Sequence, residues 1–85
     1  MTKYLITYQL SDEEDYDELH EAIEAYGDYI QIMRSIWFIE TSSSRTDVRD
    51  NLSDYLESGD TLFVMDKSAW AAWGLDNDDV DWLKN

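Results

Sequence analysis

The order of strand-like and helix-like patterns along the chain limits the possible folds more than any other feature. Residues 3–10 show the two-residue period of a β-strand. The set of side chains expected to face the helices is Tyr4, Ile6, Tyr8 and Leu10. The set on the opposite face is Leu5, Thr7 and Gln9.

A first helix is predicted from Ser11 to about Tyr26. Ser11 and Glu14 have the spacing of a capping box, in which the serine accepts a backbone N–H of the first turn and the glutamate reaches back. Apolar residues then recur at helical spacing, and Gly27 suits the left-handed turn that commonly ends a helix.

The middle of the chain predicts two more strands and a second helix. Residues 29–42 are rich in strand-forming types, but strands usually span about 5–6 residues, so this stretch is predicted to divide near Arg34 and Ser35 through a tight or bulged connection. Residues 42–44 can cap a second helix that ends at Gly59. The apolar side of that helix is expected to be Val48, Leu52, Tyr55 and Leu56.

A fourth strand, residues 61–65, completes the order strand, helix, strand, strand, helix, strand. This is the order of the split βαβ motif. The predicted class is therefore α+β, a ferredoxin-like βαββαβ sandwich with an antiparallel four-stranded sheet and two helices on one face. A tryptophan-rich C-terminal tail follows, and it is expected to dock because exposed tryptophans would form an aggregation-prone patch. All 85 residues are assigned to a single domain.

The sheet face that carries Leu5, Thr7 and Gln9 has no predicted helix over it. A domain of this length has a thin stability margin, because it buries only about 60–65% of the surface that its unfolded chain exposes. We predict that this face joins two copies of the chain in a homodimer, which would add to that margin.

The charge and composition exclude several kinds of partner. The net charge is −14, from 20 acidic residues against 6 Lys and Arg, and such a field repels a polyanion, so direct nucleic-acid binding is not expected. The absence of cysteine excludes disulfides, thiolate metal sites and cysteine nucleophiles. No apolar run is long enough to span a bilayer, and residues 1–10 do not resemble a signal peptide. The prediction is a cytoplasmic protein with no membrane partner.

Four segments carry a resemblance to a known superfamily. They are Tyr4–Leu10, Tyr26-Gly27, Arg34–Phe38 and Thr61–Met65. Together they resemble the small ferredoxin-like subunit of the CRISPR adaptation machinery and its relatives, among them VapD-type ribonucleases. The chain looks closer still to small bacterial and phage proteins of a SinR-like family, which share the Tyr-Gly and Ser-x-Trp features and a Trp-Leu-Lys ending like residues 82–84.

The resemblance implies a metal-dependent nuclease centre, but this sequence lacks its main ligand. In the superfamily the first strand usually ends in Tyr-Asp, and the Asp of each subunit of a dimer is proposed to hold a divalent metal for phosphodiester cleavage. Gln9 stands at that position here, and a neutral amide is a poor Mg²⁺ ligand. Asp12 lies just beyond and could substitute, although it better suits the helix dipole.

Other signs of catalysis or metal binding are weaker. His20, the only histidine, could form a general base with acidic neighbours on its helix, but no nucleophile has a recognisable setting. The acidic turn at residues 76–81 lacks the glycine and the closing glutamate of an EF-hand calcium loop. We therefore predict no catalytic residue, no metal ligand and no cofactor.

The remaining signal is the placement of carboxylates and tryptophans. Carboxylates crowd the start of the first helix and form a stripe on the second, which costs stability through like-charge repulsion. We predict that they bind a basic partner protein, with two tail tryptophans as apolar anchors. The predicted partner-binding residues are Asp12, Glu13, Glu14, Asp15, Asp17, Glu18, Asp47, Asp50, Asp54, Glu57, Trp70 and Trp73.

These observations lead to one main hypothesis and two alternatives. The main hypothesis is a non-enzymatic acidic interaction protein. Its most concrete form is a phage-type DNA mimic, such as an anti-CRISPR protein, that inhibits a nucleic-acid-binding defence protein in the host cytoplasm. One alternative is a divergent metal-dependent nuclease of the superfamily named above. The other is a salt-adapted protein whose acidity needs no partner.

Overall fold

The first strand of the chain lies in the middle of the sheet. In the computed structural model, which describes residues 1–11 and 16–85, the elements in chain order are β1 (Thr2–Gln9), α1 (Asp17–Glu24), β2 (Tyr29–Met33), β3 (Ile36–Thr41), α2 (Arg45–Ser53), β4 (Thr61–Asp66) and α3 (Asn77–Lys84). The sheet order is β2-β3-β1-β4, and each neighbouring pair is antiparallel. The predicted ferredoxin-like βαββαβ sandwich is therefore confirmed, with α3 in addition.

The main core lies between the sheet and the first two helices. It forms because the alternation in β1 sends one set of side chains, including Ile6 and Tyr8, towards α1 and α2. The register pairs Ile6 with Trp37, so β3 contributes to the same layer. The buried members of this core are Tyr4, Ile6, Tyr8, Leu19, Ala22, Ile23, Trp37, Ile39, Val48 and Leu52.

The described start of α1 lies later than predicted. The helix begins at Asp17 with Tyr16 as its N-cap residue, and Tyr16 makes no side-chain capping bond. The hydroxyl of Ser11 donates to a carboxylate oxygen of Asp60 at 2.8 Å, so it is engaged by the loop before β4. Glu14, the predicted partner of Ser11, lies outside the described residues. The predicted end is close to the observed one, since Gly27 has a φ of +89° just beyond the helix.

The predicted N-terminus of α2 is confirmed, but its predicted C-terminus at Gly59 is wrong. The hydroxyl of Ser44 accepts the backbone N–H of Asp47, as an N-cap should. The helix ends at Ser53, because the chain then forms a turn in which Asp60 accepts the backbone N–H of Glu57. The predicted apolar side of the helix is therefore correct for its first two residues and wrong for the last two, which lie beyond Ser53. Val48 and Leu52 are buried, whereas Tyr55 is exposed and Leu56 only packs at the edge of the core.

The division between the second and third strands falls where it was predicted. Arg34 and Ser35 form the turn between β2 and β3, and the register shifts between Gln31 and Met33, which is the expected irregularity. The side-chain amide of Gln31 donates to the carbonyl of Arg34, which closes this turn without glycine or proline.

Helix α3 packs on the sheet face opposite α1 and α2. Leu83 is buried, and the ring of Trp82 contacts Phe38, which alternates with the core residue Trp37 and so points away from α1 and α2. The indole N–H of Trp82 donates to Asp28. Lys3 and Lys67 donate to the carbonyls of Trp82 and Leu83, groups that the helix itself leaves without partners. The sequence predicted only a last helical turn here.

The segment between β4 and α3 does not dock as predicted. Residues 68–74 are all exposed, and Trp73 is 97% exposed. The docking of the C-terminal region comes instead from Trp82 and Leu83, further along the chain. No helix in residues 1–11 and 16–85 combines the length and apolarity that crossing a bilayer requires.

Gly59 lies where the loop after α2 meets the end of β1. Its φ is +94°, and a Cβ atom there would lie 3.2 Å from the Cβ of Ser11. Gly27 has a similar φ of +89°, but a Cβ atom there would meet nothing within 4 Å. Both glycines therefore have a backbone conformation that other residues rarely adopt. Only at Gly59 would a Cβ atom also meet a neighbouring side chain.

We expect Gly59→Ala to lower the free energy of unfolding by about 2–3 kcal/mol, because the left-handed backbone costs about 1–2 kcal/mol without glycine and Ser11 must also move. Gly27→Ala should cost only the backbone part, about 1–2 kcal/mol. Urea denaturation followed by circular dichroism measures both variants. Equal losses would contradict the close approach of Gly59 to Ser11.

Candidate functional site

The exposed carboxylates of α1 and α2 form one surface, here called the acidic layer. Both helices pack on the same sheet face and contact each other, and the amide of Asn51 in α2 donates to the hydroxyl of Tyr26 beyond α1. Because their apolar sides face the sheet, their acidic sides face solvent together. The described carboxylates of the acidic layer are Asp17, Glu18, Glu21, Glu24, Asp47, Asp50 and Asp54.

The structure brings most of the predicted carboxylates into or beside this surface. Asp17, Glu18, Asp47, Asp50 and Asp54 belong to the acidic layer, and Glu57 is exposed in the loop after α2. The predicted residues Asp12, Glu13, Glu14 and Asp15 lie outside the described residues. Sequence reasoning missed Glu21 and Glu24, although helical spacing from Asp17 and Glu18 would have placed them on the same side.

Arginine neutralises little of the acidic layer. In the described part of the chain, the ion pairs join Arg49 to Asp50 at 2.9 Å and Arg45 to Asp66 at 2.8 Å. All four side chains are exposed, and exposed pairs of this kind typically contribute about 0–1 kcal/mol. Only the first pair involves a carboxylate of the layer, so the surface keeps a strong negative charge.

The two predicted tryptophan anchors differ in exposure. Trp73 is 97% exposed and Trp70 is 37% exposed, and both lie in the loop that joins β4 to α3. Alanines surround them in sequence, so neighbouring side chains offer little apolar cover. Trp73 is thus a large apolar group that a partner can contact without rearrangement of the fold.

The predicted dimer face is partly covered by α3. Leu5 and Thr7 are half-buried on the sheet face that α3 shares, and Gln9 is exposed at the end of β1. The paired strand β4 presents Phe63, 55% exposed, and Met65 beside them. Phe63 and Met65 thus add exposed apolar area next to Leu5 and Thr7, and the homodimer stays a prediction.

The nuclease alternative gains no metal site from the described residues. Among residues 1–11 and 16–85, no group of three His, Asp or Glu side chains is placed to hold a metal ion. Gln9 pairs with Thr61 at the exposed end of β1, and the nearby carboxylate of Asp60 is held by Ser11. Asp12, the substitute ligand considered above, lies outside the described residues.

A pocket of about 360 Å³ lies at the end of β1, on the edge of the core. It is formed where β1, the start of α1 and the β2–β3 turn meet. The described residues that line it are Tyr8, Gln9, Leu10, Tyr16, His20, Arg34 and Ser35. Sequence reasoning considered His20 only as a general base with acidic neighbours on its own helix. It did not assign this pocket, because the parts of the pocket are distant along the chain.

The hydroxyl of Tyr8 connects the walls of this pocket. It accepts the indole N–H of Trp37 at 3.1 Å and lies 2.9 Å from Nε2 of His20. It also lies 3.3 Å from the carbonyl of Arg34, a second acceptor for its proton. Burial raises the pKa of Tyr8, and the opposing effects of Trp37 and the Arg34 charge are smaller. Tyr8 therefore stays a neutral hydroxyl at neutral pH.

Asp60 holds the chain on either side of residues 12–15. Its carboxylate accepts the backbone N–H of Ser11 at 2.8 Å, that of Glu57 at 2.8 Å and the hydroxyl of Tyr16 at 3.1 Å. These bonds favour the charged form, the Ser11 N–H most strongly, and lower the pKa of Asp60 from 3.8 to about 2. Asp60 thus fixes the position of Tyr16, one wall of the pocket.

We expect Tyr8→Phe to lower the free energy of unfolding by about 1–3 kcal/mol, because the buried indole N–H of Trp37 loses its acceptor. Tyr4→Phe is the matched control on the same face of β1. It removes a single bond, from the Tyr4 hydroxyl to the carbonyl of Ser43, and should cost about 0.5–1.5 kcal/mol. Chemical denaturation compares the two, and a smaller loss for Tyr8→Phe would refute the central role of its hydroxyl.

We expect the stabilisation by Asp60 to disappear in acid. Because the pKa is lower in the folded state, the contribution is fully present above about pH 4 and is lost as the pH falls to about 2. Asp60→Asn should therefore be less stable than the parent at pH 7, and this difference should shrink between pH 4 and pH 2. Denaturation curves at several pH values measure it.

The control for Asp60→Asn is Asp54→Asn, which makes the same change of charge at an exposed carboxylate with no hydrogen bond among the described residues. Denaturation of Asp54→Asn over the same pH range separates the loss of the Asp60 hydrogen bonds from the effect of one fewer negative charge. A difference for Asp60→Asn that stays constant down to pH 2 would contradict the lowered pKa.

Comparison with known proteins identifies no family for this chain. The sequence matches no protein-family model and no curated protein. The resemblance carried by Tyr4–Leu10 and Arg34–Phe38 therefore stays a prediction.

Proposed function

We propose that this chain is a non-enzymatic interaction protein that binds a basic partner protein through its acidic layer. The observation that carries the proposal is that α1 and α2 lie side by side on one sheet face with their carboxylates in solvent. A partner that offers Lys and Arg side chains at matching positions would neutralise this surface. Such a partner and this chain would meet in the cytoplasm.

Electrostatics favours this pairing over any acidic or neutral partner. The net charge of −14 on 85 residues creates repulsion within the folded chain, which a basic partner relieves on binding. Opposite charges also steer two proteins together and raise the association rate at low salt. Since the Debye length is about 8 Å at physiological ionic strength, this steering operates close to the surface and weakens as salt is added.

Trp73 supplies the apolar contact that a charged surface alone lacks. Tryptophan is among the residues that most often dominate binding energy at interfaces, provided that the partner buries it. At 97% exposure, Trp73 has nearly all of its surface available for that purpose. We propose that it inserts into an apolar pocket of the same partner, beside the partner's basic surface.

DNA mimicry is the most specific form of the proposal. A basic groove that normally holds nucleic acid has cations spaced to meet phosphates, and carboxylates on a rigid pair of helices can occupy the same cations. Duplex DNA and this chain would then compete for one groove. This competition separates a mimic from a protein that binds basic surfaces without regard to their function.

The test compares two variants that carry the same change of charge. Asp47→Asn with Asp54→Asn removes two charges from the acidic layer, whereas Asp78→Asn with Asp81→Asn removes two from α3, on the other sheet face. Immobilised protein is used to capture nucleic-acid-binding proteins from a lysate at low salt. We expect several-fold less capture by the acidic-layer variant, little change for the α3 variant and release of the captured proteins by added duplex DNA.

Equal capture by the parent and the acidic-layer variant would contradict the proposal. Loss of capture without competition by DNA would keep the acidic layer as the binding surface but exclude mimicry. Trp73→Ala should weaken capture with little change in the free energy of unfolding, because its side chain is 97% exposed and has little packing to lose. Stability that rises up to molar salt, together with no specific capture, would instead favour the salt-adapted alternative.

A further inference from the structure

The pocket beside Tyr8 differs in charge from the rest of the molecule. Arg34 and His20 line it, and no Asp or Glu is among its described lining residues. The chain as a whole carries −14. The described lining of this pocket is therefore basic and hydroxyl-bearing on a chain that is acidic as a whole, and the proposed partner binding makes no use of it.

Arg34 is the arginine in the described part of the chain whose guanidinium has no partner there. Arg45 pairs with Asp66 and Arg49 with Asp50. The bonds at Arg34 go to its backbone carbonyl, from Gln31 and Tyr8, and these fix the turn while the side chain stays exposed at the pocket. A guanidinium positioned in this way binds carboxylates well, since its planar fork donates two parallel hydrogen bonds.

The walls of the pocket suit a planar ligand. Tyr8, Tyr16 and His20 present rings, and Leu10 adds an apolar side chain. The volume of about 360 Å³ lies at the small end of the range for ligand pockets, about 300–1,000 Å³. Ser35 and Gln9 add polar groups at the rim. The site therefore offers ring surfaces and polar groups beside one cationic side chain.

The Tyr8 network keeps its hydrogen bonds whichever way the His20 ring donates. When Nε2 of His20 is an acceptor, the Tyr8 hydroxyl donates to it across 2.9 Å. When Nε2 carries a proton and donates to Tyr8, the hydroxyl can turn its own proton to the carbonyl of Arg34, 3.3 Å away. In both arrangements Trp37 keeps its bond to Tyr8, so an anion can approach His20 without leaving a buried group unsatisfied.

The net charge limits how much charge the ligand can carry. Each additional negative charge on a ligand is repelled by the same field that repels polyanions. A ligand with one negative charge can pair with Arg34. A phosphate dianion, which has twice that charge, is repelled about twice as strongly by the net charge of the protein. We infer that the pocket binds a small planar monocarboxylate, with its carboxylate on Arg34 and its ring against Tyr8 and Tyr16.

Benzoate is the probe for this site, and the indole N–H signal of Trp37 in a ¹H–¹⁵N NMR spectrum is the readout. That N–H donates to Tyr8 in the pocket wall, so it reports on the site separately from the other tryptophans. We expect a saturable shift with benzoate at constant ionic strength. Benzamide, which has the same shape without the charge, and inorganic phosphate should each shift this signal much less.

Arg34→Gln should weaken benzoate binding by about tenfold or more, because the charge-assisted hydrogen bonds from the guanidinium to the carboxylate are lost. Arg49→Gln makes the same change of charge on α2, outside the pocket, and should bind benzoate like the parent. Arg34→Lys keeps the charge without the planar fork and should give an intermediate affinity. The full amide spectrum of each variant verifies its fold.

Three results would overturn the inference. They are a benzoate shift that does not saturate, benzamide or phosphate binding as tightly as benzoate, and unchanged benzoate affinity in Arg34→Gln. None of them depends on the acidic layer, so failure here and failure of the proposed partner binding are distinguishable. Both Arg34 variants retain the backbone carbonyl that closes the turn, so loss of binding would not arise from loss of that bond.

Discussion

The hydrogen bond from the Trp37 indole to the Tyr8 hydroxyl joins parts of the chain that no local preference would bring together. Tyr8 ends the buried face of β1, Trp37 lies in β3, and the same hydroxyl contacts His20 of α1 and the carbonyl of Arg34. Removing the hydroxyl would leave a polar group unsatisfied inside a small core, where such a group is costly. This single oxygen therefore links β1, β3, α1 and the turn that closes the pocket.

The core and the acidic layer impose opposite demands on α1 and α2. Each helix buries only a few apolar residues, such as Leu19 and Ile23 in α1, and carries like charges on its other side. Hydrophobic burial must exceed this repulsion, because an 85-residue domain has little stability to spare. Helix α3 adds a second apolar contact, between Trp82 and Phe38, on the other sheet face. Two thin apolar layers therefore support one strongly charged surface.

Most of the architecture could be predicted from the sequence, because strand and helix periods are local signals. The division at Arg34 and Ser35, the Ser44 cap and the four strands all follow from residue type and spacing. The end of α2 could not be predicted, because it depends on a turn in which Asp60 accepts the backbone N–H of Glu57. The described start of α1 could not be predicted either, because Ser11 bonds to Asp60, which is distant along the chain. The pocket was missed for the same reason. The exposure of Trp73 was also missed, because it depends on where α3 docks.

The central position of β1 also determines when the sheet can form. Its partners are residues 36–41 and 61–66, so the first strand to be synthesised must wait for both. The β2–β3 hairpin, by contrast, joins strands that are adjacent in sequence and needs only a two-residue turn. A nascent chain that stops before β4 leaves the Tyr4–Gln9 side of β1 with an unpaired edge. Completion of the sheet therefore requires β4, the last of its four strands in chain order.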